Sequence, residues 1–480
     1  MAVNNAVAVR RELLLRLSEL FYAGELESRQ VDRIPFDMRP KDFRDVPGCC
    51  VHKERAMLRY KVMALLGFDI WTEQDEMTPL HEFVQRAATR EKPAEEPLTV
   101  VNDVCHACVR VNYVVTNMCR GCMARSCTNS CNRDAISFET GQAHIDHESC
   151  VNCGLCQRAC PFHAIVYIPV PCEESCPVGA ISKRPDGTEQ IDYAKCTYCG
   201  RCIVSCPFGA VMEKSHIMDV FNAFRHERKV VAMVAPAIAG QFKAPLERIL
   251  GAIRRLGFDD VIEVAKGADM TSCDEAEEFV HKIAGGQKFM TTSCCPSYIE
   301  TVRKHLPELA PFVSDTPTPM QFTARLAREK HPDAVLVFVG PCLAKRYETT
   351  VDANADLMLS FEEIDAMLKS KGVDVAAAAQ SALDGAIDDT SRGYPISAGV
   401  GRAVSKRVGD RVKVSPMIIS GLDRARIKEL RALPATATAN MIEVMACEGG
   451  CVNGCNVIAN PKVAARQVAE VAKREFGGRL

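Results

Sequence analysis

Sixteen cysteines fall between positions 105 and 206, and that density dictates what the segment can become. The runs CVNCGLCQRACP and CTYCGRCIVSCP place Cys150, Cys153, Cys156 and Cys160, then Cys196, Cys199, Cys202 and Cys206, in the spacing C-x2-C-x2-C-x3-C-P. This is the spacing that holds paired 4Fe-4S clusters. Three close thiolates wrap one face of a cubane, while the fourth, turned away at Pro161 or Pro207, reaches the neighbouring cluster. Soft thiolates suit iron. Structural zinc is the competing reading, but it takes four ligands with no crossed fourth cysteine.

Two further half-motifs are irregular. Cys119, Cys122, Cys127 and Cys131 carry one extra residue in the middle and lack the proline. Cys172 and Cys176-Pro177 lack a local C-x2-C, which Cys105 and Cys108 can supply from upstream. Four quartets result if one ferredoxin-like unit is inserted in another. The inner unit then groups Cys119, Cys122 and Cys127 with Cys160, and Cys150, Cys153 and Cys156 with Cys131. The outer unit groups Cys105, Cys108 and Cys172 with Cys206, and Cys196, Cys199 and Cys202 with Cys176. Such nesting resembles the four-cluster electron-transfer subunits of molybdenum oxidoreductases and implies up to four accessory 4Fe-4S clusters. The alternative at Cys105, Cys108 and Cys172 is a cluster that is absent or differently ligated.

A chain of 480 residues suggests about three domains and is long enough to build cores without disulfide staples. Its 59 basic and 61 acidic residues leave a net charge of −2, which provides no field for nucleic acid or an anionic membrane. No apolar stretch is long enough to span a bilayer, and the amino terminus reads as an amphipathic helix, not a signal. The expectation is a soluble cytoplasmic protein whose reduced thiols favour metal over disulfide. Residues 1–97 read as a mainly helical region, with apolar repeats at 7–21 and 57–68 and a linker at 91–97. Residues 98–218 form the ferredoxin-like region, and residues 219–480 have the alternating texture of an α/β domain. Candidate strands lie at 230–234, 261–264, 289–292, 334–339 and 442–446. Three run into cysteines, in FMTTSCC, AVLVFVGPC and IEVMAC, and the carboxyl ends of strands are where open α/β sheets build their sites.

Those last three segments, TSCCP, GPCLAK and EVMACEGGC, resemble in order the three signatures of the iron-only (FeFe) hydrogenases over about residues 226–480. The tyrosine of CCPSY, the glycine of GPC and the glutamate of CEGG resemble the divergent group B branch. The resemblance implies a catalytic α/β domain with two lobes, each a sheet flanked by helices, beside the α+β ferredoxin-like domains and the helical amino-terminal region. It assigns Cys295, Cys342, Cys447 and Cys451 as ligands of the 4Fe-4S part of an H-cluster. Cys451 also bridges to a two-iron subcluster bearing carbon monoxide, cyanide and a dithiolate. Ala235, Pro236 and Met445 are expected to line the cofactor, Lys345 to donate to a cyanide, and Gly449, Gly450 and Gly454 to admit it closely. Cys294 is expected to carry protons, titrating near neutrality, with Glu275, Ser314 and Glu278 continuing the path outward. Gly340, Ala237, Met320 and Cys455 depart from the best-known members and put the tuning of the two-iron site in doubt.

The implied activity is reversible formation of H2 from two protons and two electrons, relayed through the accessory clusters to a ferredoxin or another electron-transfer protein. Separate maturation proteins supply the two-iron part. No glycine-rich dinucleotide fingerprint follows a strand. Two alternatives share the fold: a hydrogen-sensing regulatory protein, against which the retained Cys294 counts, and a non-catalytic iron–sulfur electron-transfer protein, against which Cys451 and Lys345 count. Cys49, Cys50 and Cys273 are expected to be packed thiols.

Overall fold

The structure, a computed structural model, describes residues 4–44, 49–73, 76–105, 108–352, 354–383 and 386–473. The amino-terminal region is helical, with helices Asn5–Tyr22, Gln30–Met38, Val51–Leu65 and Leu80–Thr89. The third begins six residues before the expected apolar repeat, because Cys50 takes extended backbone as its N-cap. The 91–97 stretch has no helix and is not a free linker at its end, since Tyr198 donates to Glu96 Oε2 at 2.9 Å.

Nesting of the cysteine region is visible in its strand pairing. Leu98–Val100 pairs antiparallel with Val211–Glu213, closing an outer unit around the hairpin Ile181–Lys183/Glu189–Ile191. Inside it, Tyr113–Val115 pairs with Ile165–Tyr167, closing an inner unit around the hairpin Ile136–Glu139/Gln142–Ile145. The same plan thus occurs twice, one copy within the other. The inner copy has a small core of its own around Cys127, Ile136, Ile145, Cys156 and Ile165. The outer copy shares one continuous core with the amino-terminal helices and the first catalytic lobe.

Each catalytic lobe is built on a parallel sheet. The first has the order Asp260–Glu263, Val230–Val234, Val335–Gly340, Leu357–Ser360, and the second the order Met290–Thr291, Met441–Met445, Pro416–Ser420. Val230–Val234 and Val335–Gly340 are buried at every position, which explains their unbroken apolar runs. Parallel pairing needs crossovers, and these are helices such as Ala265–Ala284, Pro296–His305 and Leu343–Val351. Among the described residues no helix is long and apolar enough to cross a membrane.

A buried charge network joins the three regions. Arg346, fully buried, donates to Glu213 Oε2 at 3.1 Å, Glu363 Oε2 at 2.8 Å and the Met358 carbonyl at 3.1 Å. Burial pushes Glu213 above its ordinary range. Burial pushes Glu363 the same way, but Arg346, Ser215 and the Ser360 N–H more than offset it, so Glu363 is the firmly ionised partner. Nearby, Arg10 and Arg11 of the first helix both donate to Glu362. Removing one member strands buried carboxylates, so Arg346→Met is expected to cost about 3–5 kcal/mol. Denaturant unfolding checks this; a loss below about 1 kcal/mol would contradict the assigned role.

Candidate functional site

The sulfurs of the cysteine region gather in the expected quartets. Cys119, Cys122, Cys127 and Cys160 line one cavity of about 370 Å3, and Cys131, Cys150, Cys153 and Cys156 another of about 350 Å3. In the outer unit, Cys206, Cys105 and Cys108 act electrostatically on Cys172, and Cys199, Cys196 and Cys176, followed by Cys172 of the adjoining group, act on Cys202. Backbone amides repeat around them. The N–H groups of Ala135, Ala164, Ala180 and Ala210 point at the sulfurs of Cys131, Cys160, Cys176 and Cys206, at 3.4, 3.4, 3.1 and 3.3 Å. In each turn the residue before the alanine, Asp134, His163, Gly179 or Gly209, has positive φ. Likewise Ala143 donates to Cys119 and Glu189 to Cys105, each at 3.4 Å, which makes the irregular half-motifs equivalent. The signal for this was in the sequence as Cys-x3-Ala, present four times between residues 105 and 210. Amides aimed at sulfur favour the thiolate that a cluster requires.

Burial first, then neighbouring acidic groups and sulfurs, raises Cys105 to about 11 and Cys172 further. Such thiols ionise only with a cation centre to offset the charge, so ligation releases protons. No group of His, Cys, Asp or Glu among the described residues is arranged for a single metal ion. The two inner quartets surround cavities, as a cubane requires.

The two lobes border a cavity lined by Cys294, Cys295, Cys342, Cys447 and Cys451. Cys295 is the N-cap of helix Pro296–His305, with proline at its first position, and Cys342 is the N-cap of Leu343–Val351. Both follow the carboxyl ends of parallel strands, so two helix N-termini face the same space, favourable to an anionic centre. Cys447 follows the strand Met441–Met445, and Ala235, Pro236 and Met445 complete the wall as expected. Four sulfurs in an apolar, anion-favouring cavity suit a bulky cluster. Ala237 and Met320 also line it. At Gly340 the ring of Phe338 already occupies the side-chain space, 2.4 Å from where a Cβ would lie. Gly450 and Gly454 line the cavity as expected, and a Cβ on either would also meet a backbone carbonyl, of Pro395 or Pro341, at 2.4 Å. Their smallness lets loops cross, and for Gly449 nothing lies within 4 Å.

Cys199, from the outermost cysteine motif in sequence, also lines this cavity. The adjoining Gly200 is packed on Cys455, whose sulfur lies 2.5 Å from the position of a Cβ. Cys455 therefore fills the seam between a cluster quartet and the lobe cavity.

Lys345 reaches the cavity while paired with Glu348 at 2.7 Å and donating to Thr318 Oγ1 at 3.2 Å. Glu275 is fully buried, and neither of its oxygens has a hydrogen-bond partner; the Ser293 N–H and Ser314 hydroxyl face it without closing a bond. Burial, then Glu278, pushes its carboxyl up to about 8. Burial raises Glu278 too, but Lys282 at 2.6 Å, Ser314 at 2.6 Å, the Asp315 N–H and Thr316 more than offset it, and Glu278 stays below its ordinary value. Burial, then Glu275 and Cys295, holds Cys294 as a neutral thiol well above the ordinary thiol range. Burial and these acidic neighbours therefore oppose the neutral titration expected of Cys294. From the cavity outward the groups run thiol, protonated carboxyl, ionised carboxylate.

Some participants escaped the sequence. Tyr394 lines the cavity with its hydroxyl 2.8 Å from Ser272 Oγ. Buried Glu443 accepts from the N–H groups of Ala398 and Gly401 at 2.7 and 2.8 Å and adds its charge to the surroundings of Cys294. Cys49 and Cys50 are exposed, not packed, their sulfurs 3.6 Å apart at a helix boundary. Cys273 is exposed as well, on the side of its helix away from buried Ser272, Glu275 and Phe279. Lys61, in contrast, is a buried lysine of helix Val51–Leu65. Burial pulls its ammonium down to about 8, against the opposing pull of Cys206 and Glu54, so it remains largely cationic at neutral pH.

Residues 228–455 match the iron only hydrogenase large subunit, C-terminal domain; residues 143–166 match a 4Fe-4S binding domain, and residues 166–217 the LdpA Fe-S cluster-binding domain. The NADP-reducing hydrogenase subunit HndD of Solidesulfovibrio fructosivorans is 28% identical over 418 residues, 71% of this chain and 64% of that protein. Iron hydrogenase 1 of Clostridium pasteurianum is 26% identical over 300 residues, 50% of this chain and 52% of that protein. The chain therefore spans between about half and two thirds of the length of these two curated relatives. A solved FeFe-hydrogenase from Chlamydomonas reinhardtii aligns with 54% of this chain and 89% of its own, at 21% identity and a TM-score of 0.44. The chain thus carries a region similar to the iron-only hydrogenase large subunit, residues 228–455, behind regions similar to 4Fe-4S binding domains, residues 143–166 and 166–217.

Proposed function

We propose that this protein is an FeFe hydrogenase of the divergent group B type, catalysing the reversible reduction of two protons by two electrons to H2. The observation that carries the reading is the single cavity in which Cys295, Cys342, Cys447 and Cys451 converge beside Cys294 and Lys345. The four cysteines would hold the H-cluster, and Cys451 would bridge its two halves. When bound, that cofactor supplies the redox and hydrogen-splitting chemistry, and the protein supplies orientation and electrostatics.

The chain's own residues have distinct parts in this scheme. Lys345, ion-paired with Glu348, offers a charged donor inside the cavity. Cys294 exchanges a proton with Glu275, and Glu275 with Glu278 by way of Ser314, whose hydroxyl already donates to Glu278. The sequence of raised and lowered acidities suits a path that keeps protons at the inner groups and ionises at the outer one. Electrons enter through the ferredoxin-like region, 98–218, from a ferredoxin or another electron-transfer protein, and leave the quartet containing Cys199 for the catalytic domain, 219–480. Residues 1–97 form the helical region that braces both. The accessory clusters number four, and maturation proteins load the two-iron part. A cytoplasmic setting suits the reduced thiols this requires.

Matured with its assembly factors, the protein is expected to evolve H2 from reduced ferredoxin or viologen. Cys294→Ala and Glu275→Ala are expected to lower turnover at least about a hundredfold, as removal of general acid–base groups does; near-normal rates would refute the path. Glu275 also has a signature in stability. Its folded-state acidity near 8 lies above its ordinary 4.5, so the folded protein binds the extra proton and loses stability as pH rises from about 4.5 to about 8. Glu275→Gln removes that loss. Denaturation midpoints are expected to favour Glu275→Gln progressively over this window, and parallel midpoints would contradict it.

A further inference from the structure

Lys61 is 7% exposed, and its Nζ donates to the Phe208 carbonyl at 3.1 Å. The same atom lies 3.0 Å from the position a Cβ would take on Gly209. Phe208 and Gly209 belong to the turn that wraps Cys206, the turn whose Ala210 N–H points at the Cys206 sulfur. The ammonium is therefore seated on the backbone loop that presents one cluster ligand.

No carboxylate among the described residues lies within 4.0 Å of this ammonium, although neighbouring cations are all paired. Arg39 pairs with Glu54, Arg10 with Glu362, and Lys183, near Cys108, with Glu189 and Glu173. Lys304 makes the closest comparison: it donates to the Cys196 carbonyl at 2.6 Å, but Glu300 neutralises it at 2.9 Å. A buried cation without a partner is costly, and buried charges are normally paired. Around Lys61 two groups offer counter-charge: Glu54, which is shared with Arg39 and lies beyond 4.0 Å, and, acting more strongly, the sulfur quartet that includes Cys206, which is net anionic once it holds iron.

We propose that Lys61 is the counter-cation of the iron–sulfur cluster on Cys105, Cys108, Cys172 and Cys206 and raises that cluster's reduction potential. Cluster potentials respond to net charge in their surroundings. The amino-terminal helices thereby belong to the electron-transfer apparatus and do more than brace it. This inference rests on the cluster reading of the Cys206 quartet and is independent of hydrogen chemistry at the catalytic cavity.

The test is a redox titration of the accessory clusters followed by electron paramagnetic resonance, with iron counted per chain. The parent is compared with Lys61→Met, Lys61→Gln and Lys61→Arg. In both neutral variants one midpoint is expected to fall enough to change the reduced-to-oxidised ratio at fixed potential about tenfold, about 59 mV for a one-electron couple. The other midpoints stay in place, and Lys61→Arg stays near the parent. Unchanged midpoints in both neutral variants at undiminished iron would overturn the proposal. If the neutral variants lose one cluster's iron, its retention in Lys61→Arg supports the charge requirement, and its loss there too overturns it. A parent already lacking one cluster would instead defeat the reading of the quartet, before any substitution is made.

Discussion

Buried sulfur that must carry negative charge requires positive charge close by, because the protein interior screens poorly. Much of this architecture follows from that requirement. In the catalytic cavity the answer is geometric: Cys295 and Cys342 cap two helices whose N-termini face inward, and both helices leave the carboxyl ends of parallel strands. In the cysteine region the answer is local, with a backbone N–H turned onto the last sulfur of every quartet by a left-handed residue. Side-chain cations are used sparingly, as Lys345 beside the cavity and Lys61 beside Cys206.

Charge also explains how the regions are held in register. Arg346 lies one residue beyond Lys345, yet it points into the junction with Glu213 and Glu363, not into the cavity. A single helical turn after Cys342 thus serves both the site and the seam between domains. Cys455 and Gly200 close the same seam from the other side, leaving Cys199 on the cavity wall. The ferredoxin-like region and the lobe cavity are therefore in direct packing contact, through side chains that nothing in the hydrogenase signatures requires.

Local information was legible in the sequence and distant information was not. Ligand spacing within a dozen residues foretold the nested units, and fully apolar runs marked Val230–Val234 with no error in its ends. Two strands of the lobes went unread: Leu357–Ser360 is short and flows directly into a helix, and Pro416–Ser420 opens on proline at a partly exposed sheet edge. The cavity wall shows the same divide. Cys294, Cys295, Cys342, Cys447 and Cys451 carry motifs, but Tyr394 and Phe338 carry none, since their place is decided by packing between segments far apart in the chain. Exposed Cys49, Cys50 and Cys273 were misread because composition speaks of burial on average, whereas a helix boundary or an outer helix face decides it for one residue. Lys61 lay hidden for the converse reason: a lysine in an apolar helix looks like a solvated interruption until its environment is seen.

Infrared spectroscopy of the matured protein tests the central claim most directly, because carbon monoxide and cyanide bound to iron absorb where protein does not. The account predicts such bands in the parent, their loss in Cys451→Ser, and their sensitivity to H2. A protein carrying its full complement of iron–sulfur clusters after maturation, yet showing no such bands, would contradict it.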